Sequence, residues 1–136
     1  MIVVDAEVLI SLTLVRPQTA MAREAFLKDP DWAAPPLWRS DFRGQLWKHL
    51  RANRITAAQA QRAFDAAQAV IAGNEPEPDL PHLLTLAQSQ TLEVYDAEYV
   101  AVARALGVPY VTTDEELAKS CPDDVALLRD FVSPSV

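Results

Sequence analysis

Residues 91–114 read TLEVYDAEYVAVARALGVPYVTTD, and this stretch decides the fold. Tyr95 to Leu106 reads as a helix with Gly107 as its stop. Val108 to Thr112 follows at once as a short β-branched strand, and Asp114 closes it. Leu92 to Val94 reads as a further brief strand ahead of the helix. A helix feeding directly into a buried strand is the unit of an α/β sheet.

Working toward the N-terminus, the same grammar recurs. Met1 to Val4 is a buried strand stopped by Asp5, and Ala6 to Val15 is apolar and helical. Pro17 suits a helix first turn, and Gln18 to Lys28 continues as helix. Asp29-Pro30-Asp31 is a turn, Trp32 to Ala34 a second short strand, and Pro35-Pro36 its end. Leu37 to Ala52 is a long helix whose Trp38, Phe42, Leu46 and Leu50 form an apolar stripe. Trp47 is assigned to the core with them. Thr56 and Gln59 form a capping box before a helix reaching about Ala72. The acidic, Pro-rich GNEPEPDLP at 73–81 is the one linker-like segment, too short and too central to divide the chain. Leu83 to Gln88 is helical. Beyond Asp114 come a short acidic helix and a last strand at Val125 to Leu128. The expectation is one α/β domain over 1–136, with a mostly parallel central sheet flanked by helices.

Composition narrows the function classes. With 136 residues and half of them hydrophobic, the chain suits one core. A lone cysteine, Cys121, excludes an internal disulfide and suits a reducing, cytoplasmic setting. No basic leader and no apolar run of about 20 residues is present, so no membrane span is expected. Three glycines and no Gly-rich loop exclude a dinucleotide site. The net charge of −7 opposes bulk attraction to nucleic acid. Its distribution does not: Arg39, Arg43, Lys48, Arg51, Arg54 and Arg62 lie in a stretch whose one acid is Asp41. That stretch can face a phosphate backbone, or be a solvated helical face.

The aspartates carry the chemistry. Asp5 and Asp114 stand at strand ends, Asp96 opens a helix, and Asp41 lies near the start of another. In a parallel sheet ligands bind at the carboxyl edge of the strands, where these positions fall. Each aspartate alone is also an ordinary helix cap or surface acid. Together they repel: two charges about 5 Å apart at an effective dielectric near 20 cost about 3 kcal/mol. A cation relieves this, and an all-oxygen cluster suits Mg²⁺ or Mn²⁺ rather than zinc. His49 and His82 stand apart from the cluster.

These residues resemble the PIN-domain family, and especially the VapC-like toxin ribonucleases. The resemblance rests on IVVDAEVL at 2–9, PLWRSDFRGQLWKHLR at 36–51 and the stretch at 91–114, in that order. It implies a small α/β fold and a Mg²⁺- or Mn²⁺-dependent endoribonuclease acting on RNA. It also implies an antitoxin partner that plugs the site, and a homodimer. Carried onto this chain, the acidic quartet is Asp5, Asp41, Asp96 and Asp114, with Thr112 or Thr113 as an accompanying hydroxyl. Asp5, Asp96 and Asp114 would hold the metal, Asp41 would position or deprotonate the attacking water, and Arg39, Arg43, Lys48 and Arg51 would approach the RNA. Three positions depart from the pattern: Asp41 replaces the usual Glu, Gly44 an Asn-like residue, and Glu7 a small polar one. Two rival readings follow. One is a PIN-like binding module without catalysis; the other is a phosphoacceptor protein using Asp5. The second lacks a strand-end lysine after Thr113.

Overall fold

In a computed structural model of the chain, residues 1–133 are described, and the expected domain of 1–136 is followed through Ser133. Strand β1 (Ile2–Val4) is followed by helices α1 (Ala6–Thr13) and α2 (Thr19–Lys28). Then come β2 (Trp32–Ala33), α3 (Trp38–Arg51), α4 (Ala57–Ile71), α5 (Leu80–Gln90) and α6 (Val94–Leu106). The chain closes with β3 (Tyr110–Thr112), α7 (Glu115–Ser120), β4 (Val125–Leu127) and α8 (Leu128–Val132).

The four strands form one sheet in the order β2-β1-β3-β4, and every pairing is parallel. β1 sits inside the sheet because Ile2, Val3 and Val4 are fully buried and apolar on both faces. From β1 the chain goes to β2 on one side, and β3 pairs on the other. The crevice between β1 and β3 is therefore the switch point of the sheet, the place where such folds take ligands.

The α3 stripe packs as its spacing predicts. Trp38, Phe42 and Leu46 are buried, Leu50 is half-buried, and Trp38 and Phe42 meet Phe64 of α4 in an aromatic cluster. Trp47 corrects the assignment made for it: it is 57% exposed, because it lies on the face of α3 turned from this cluster. The capping box at Thr56 and Gln59 forms.

Several boundaries differ from expectation: α1 ends at Thr13 rather than Val15, and β3 starts at Tyr110 rather than Val108. Leu92 to Val94 is not a strand. Thr91 takes a left-handed conformation that ends α5, and Val94 already belongs to α6. α5 starts at Leu80 rather than Leu83, since the Asp79 carboxylate accepts from the His82 amide and Pro81 fits the first turn. Leu128 leaves the last strand to begin α8. The acidic segment 73–81 is no loose linker. Glu75 Oε1 accepts from Trp38 Nε1 at 2.8 Å and Arg39 Nε at 2.7 Å, and Asn74 O accepts from the Ala34 amide at 3.2 Å. Among the described residues no helix is long and apolar enough to cross a membrane.

Candidate active site

Asp5 is the residue after β1 and the N-cap of α1, where its carboxylate accepts from the Val8 amide at 3.0 Å. The other oxygen accepts from the Tyr110 hydroxyl at 2.8 Å and the Thr112 hydroxyl at 2.6 Å. Both donors come from β3, and residues two apart on a strand face the same way. Asp114 caps α7 by accepting from the Leu117 amide at 3.0 Å, and its own amide donates to Thr112 Oγ1 at 3.2 Å. Thr112 thus ties the ends of β1 and β3 together. Thr113, the alternative hydroxyl, lines a different cavity beside Gln18 and Met21.

Asp96 is the third residue of α6, a helix that packs on β1 and β3. It reaches the crevice from a helix first turn, as expected, though no strand directly precedes that helix. Asp41 lies in the first turn of α3 and accepts from the Tyr99 hydroxyl at 2.7 Å. Tyr99 and Tyr110 stack with ring centroids 5.4 Å apart. The two phenols so form a joined floor, each holding one aspartate.

Asp5, Asp41, Asp96 and Asp114 line one open pocket of about 370 Å³. Glu7, Gly44, Lys48 and the two tyrosines line it too. Gly44 has no atom within 4 Å of the place a Cβ would occupy, so the departure at this position leaves free space. The electrostatics record the crowding. Burial raises the Asp5 carboxyl above the ordinary carboxylate range, and Glu7 adds to this, while Thr112, Val8 and Tyr110 pull it back. Burial also raises Asp96, and repulsion from Asp114, Asp5, Glu93 and Asp41 raises it further. Burial and the bond to Asp41 hold Tyr99 protonated far beyond its ordinary range.

The donor set fits Mg²⁺ or Mn²⁺ in a particular way. Among the described residues no three His, Cys, Asp or Glu side chains form a ready cage. A carboxylate has about four lone-pair positions, and three donors already engage Asp5. Neither Asp96 oxygen carries a hydrogen bond from the described protein. Mg²⁺ keeps several waters and takes one or two carboxylates, which is what an open pocket of partly engaged aspartates offers.

The basic residues separate by position. Lys48 lines the pocket. Arg39 does not: both its Nε and Nη2 donate to Glu75, at 2.7 and 2.9 Å, and its guanidinium lies over Trp38. This bidentate pair engages two of the five guanidinium N–H donors. Arg43 lies over the Phe64 ring beside a separate groove, and Arg51 is exposed at the end of α3. Tyr99 and Tyr110 went unseen in the sequence. The available signal was a hydroxyl at every second residue of a buried strand, Tyr110 and Thr112.

Known proteins give the setting. Residues 2–121 match the family model for the PIN domain. Ribonuclease VapC1 of Mycobacterium tuberculosis is 30% identical over 131 residues, covering 93% of this chain and 97% of that one. Exonuclease VapC9 of Pyrobaculum aerophilum is 36% identical over 72 residues, 53% of each chain. The crystal structure of PAE2754 from Pyrobaculum aerophilum superposes with a TM-score of 0.76 at 25% identity, covering 96% of this chain and 92% of that one. With the match running from β1 through α7, the chain belongs to the PIN-domain family.

Proposed function

We propose that the chain is a Mg²⁺- or Mn²⁺-dependent endoribonuclease, the toxin of a toxin–antitoxin pair. One observation carries the reading: four aspartates from four elements open onto a single pocket at the switch point of a parallel sheet. The names of the VapC relatives supply RNA as the substrate class.

Asp96 would hold the metal most directly, since neither of its oxygens carries a hydrogen bond among the described residues, and Asp5 and Asp114 would contribute directly or through water. The ion, when bound, supplies a charge that steadies the phosphate and acidifies a bound water. Asp41 orients the attacking water and takes its proton, and the Tyr99 hydroxyl fixes the Asp41 carboxylate for that work. Thr112 and Tyr110 hold Asp5 in place. Lys48 faces the phosphate from α3. Arg43 and Arg51 meet the RNA farther along that helix. An antitoxin protein would cover the pocket. A second copy would take the exposed apolar side chains Leu80, Leu84, Val94 and Tyr95 of α5 and α6.

The test is single-turnover cleavage of linear and circular RNA with Mg²⁺. Cutting of the circle marks an endonuclease, a distinction made necessary by the exonuclease name of one relative. Asp96→Asn should lose more than about a hundredfold, because even a change behind a metal ligand costs about 10–100-fold. Asp41→Glu should keep activity and Asp41→Asn should lose it with metal affinity nearly intact. A wild type inactive on every RNA with either metal would leave the binding-module reading.

A further inference from the structure

A second cavity, of about 660 Å³, lies at the other end of α1 from Asp5. It opens where the end of α1 and the turn after it meet the end of α3 and the first turns of α4. Arg16, Arg54 and Arg62 line it with His49, Thr13 and Gln59, and no carboxylate does.

Ordinary uses of these arginines do not account for them. Among the described residues, the salt bridges involve Arg39, Arg104, Arg129 and the N-terminus, and none of these three. Arg16 Nε is shut from solvent with no hydrogen-bond partner. A buried donor without a partner costs about 1–3 kcal/mol, and a charged one costs more. No side chain of the three donates to a helix-end carbonyl, which is the usual reason for arginine near a helix C-terminus. Two of the charges meet at His49: burial lowers the basicity of this buried imidazole, and the nearby Arg16 and Arg54 lower it further. Gln59 gives its Oε1 to the Thr56 amide in the capping box, so its remaining group at the cavity is a donor. The wall therefore offers hydrogen-bond donors and positive charge to a guest that has neither.

We propose that this cavity is a phosphate-binding site, separate from the carboxylate pocket, in which Arg16, Arg54 and Arg62 grip one phosphate group. Guanidinium forks match phosphate oxygens two at a time. A carboxylate guest has two oxygens for three forks, as does a backbone phosphodiester in its non-bridging pair, whereas a terminal or free phosphate has three or four. The phosphate belongs either to the backbone of a bound RNA strand or to a small phosphorylated ligand. The RNA source rests on the nuclease reading; the site itself does not.

The experiment uses the whole chain with EDTA, so that neither metal nor cleavage enters. Inorganic phosphate is compared with chloride at equal ionic strength, by thermal melts and calorimetry. Binding of a single-stranded RNA is followed as a function of salt. The variant is Arg54→Gln with Arg62→Gln, two exposed residues whose side chains make no hydrogen bond in the fold. Phosphate should raise the melting temperature of the wild type and not that of the double variant. Arg54→Lys with Arg62→Lys should recover part of the shift, as it restores charge without the fork. If the guest is RNA, the log–log salt slope should also fall by about 0.7, one single-strand phosphate contact's worth. If the slope holds while the phosphate response is lost, the guest is a small phosphorylated ligand. An unchanged melting temperature of the wild type in phosphate, or an equal rise in the double variant, overturns the site. Tighter binding of polyglutamate than of phosphate overturns it as well, in favour of an acidic protein segment. A negative result here leaves the nuclease reading standing, and an inactive nuclease leaves this site to be measured.

Discussion

The two ends of α1 carry opposite charge without neutralising each other. The helix has eight residues, about 12 Å of length. At its N-terminal end the pocket gathers four aspartates and Glu7, with Lys48 as the one basic residue. Beyond its C-terminal end the cavity gathers three arginines and no acid. Some charges elsewhere are paired, as Arg39 with Glu75 and Arg104 with Asp124. Leaving one pocket mainly acidic and the other wholly basic costs stability that pairing would have supplied, and proteins keep such costs where a ligand of the opposite sign binds. The ends also differ in how far the protein itself has compensated them. The Tyr110 phenol, the Thr112 hydroxyl and the Val8 amide already hold Asp5, and both of its oxygens accept. At the other end Arg16 Nε has been left with nothing.

That comparison can be broken first at Asp5. In the metal-free protein its carboxyl is raised, mainly by burial, so the folded state binds its proton more tightly than the unfolded chain. Stability from this group is full at low pH and is lost as pH rises through the carboxylate range toward the folded value. Asp5→Asn should therefore be more stable than the wild type at neutral pH with EDTA, and the gap should close on acidification. Chemical denaturation across pH reads this directly. A wild type more stable than Asp5→Asn at neutral pH without metal would mean that the hydrogen bonds to Asp5 outweigh the cost of burying its charge.

A smaller effect sharpens the comparison at Gly44. It lies inside α3 on the pocket wall with open space where a Cβ would go. Gly44→Ala should stabilise the helix by about 0.5–1 kcal/mol. A destabilised variant would show that the space is needed by the fold rather than left for the site.

Much of this was legible in the sequence, for identifiable reasons. β1 and β3 are short, apolar and stopped by polar residues, so Asp5 and Asp114 could be placed at one edge. Asp96 was placed there too, for a partly wrong reason: Leu92 to Val94 resembles a strand, but the left-handed turn at Thr91 had already ended α5. Trp47 shows the limit of reading a stripe by composition. It neighbours Leu46 in sequence yet lies on another face of the helix. Tyr99 and Tyr110 look like core aromatics, and only the fold shows that their hydroxyls reach the aspartates. The basic cavity was illegible, because Arg16 precedes α2 while Arg54 and Arg62 flank the start of α4. A basic stretch read along the chain favoured Arg39, which the fold gives to Glu75.

The central claim is that the aspartate pocket exists to hold a divalent cation. Calorimetric titration of Mg²⁺ into the metal-free protein tests it most directly. The wild type should bind, and at a hundredfold excess over Kd the ion should add about 2.7 kcal/mol of stability. Binding should vanish in Asp96→Asn and survive in the Arg54→Gln, Arg62→Gln variant. Absence of binding by the wild type to both Mg²⁺ and Mn²⁺, or equal binding by Asp96→Asn, would contradict the account.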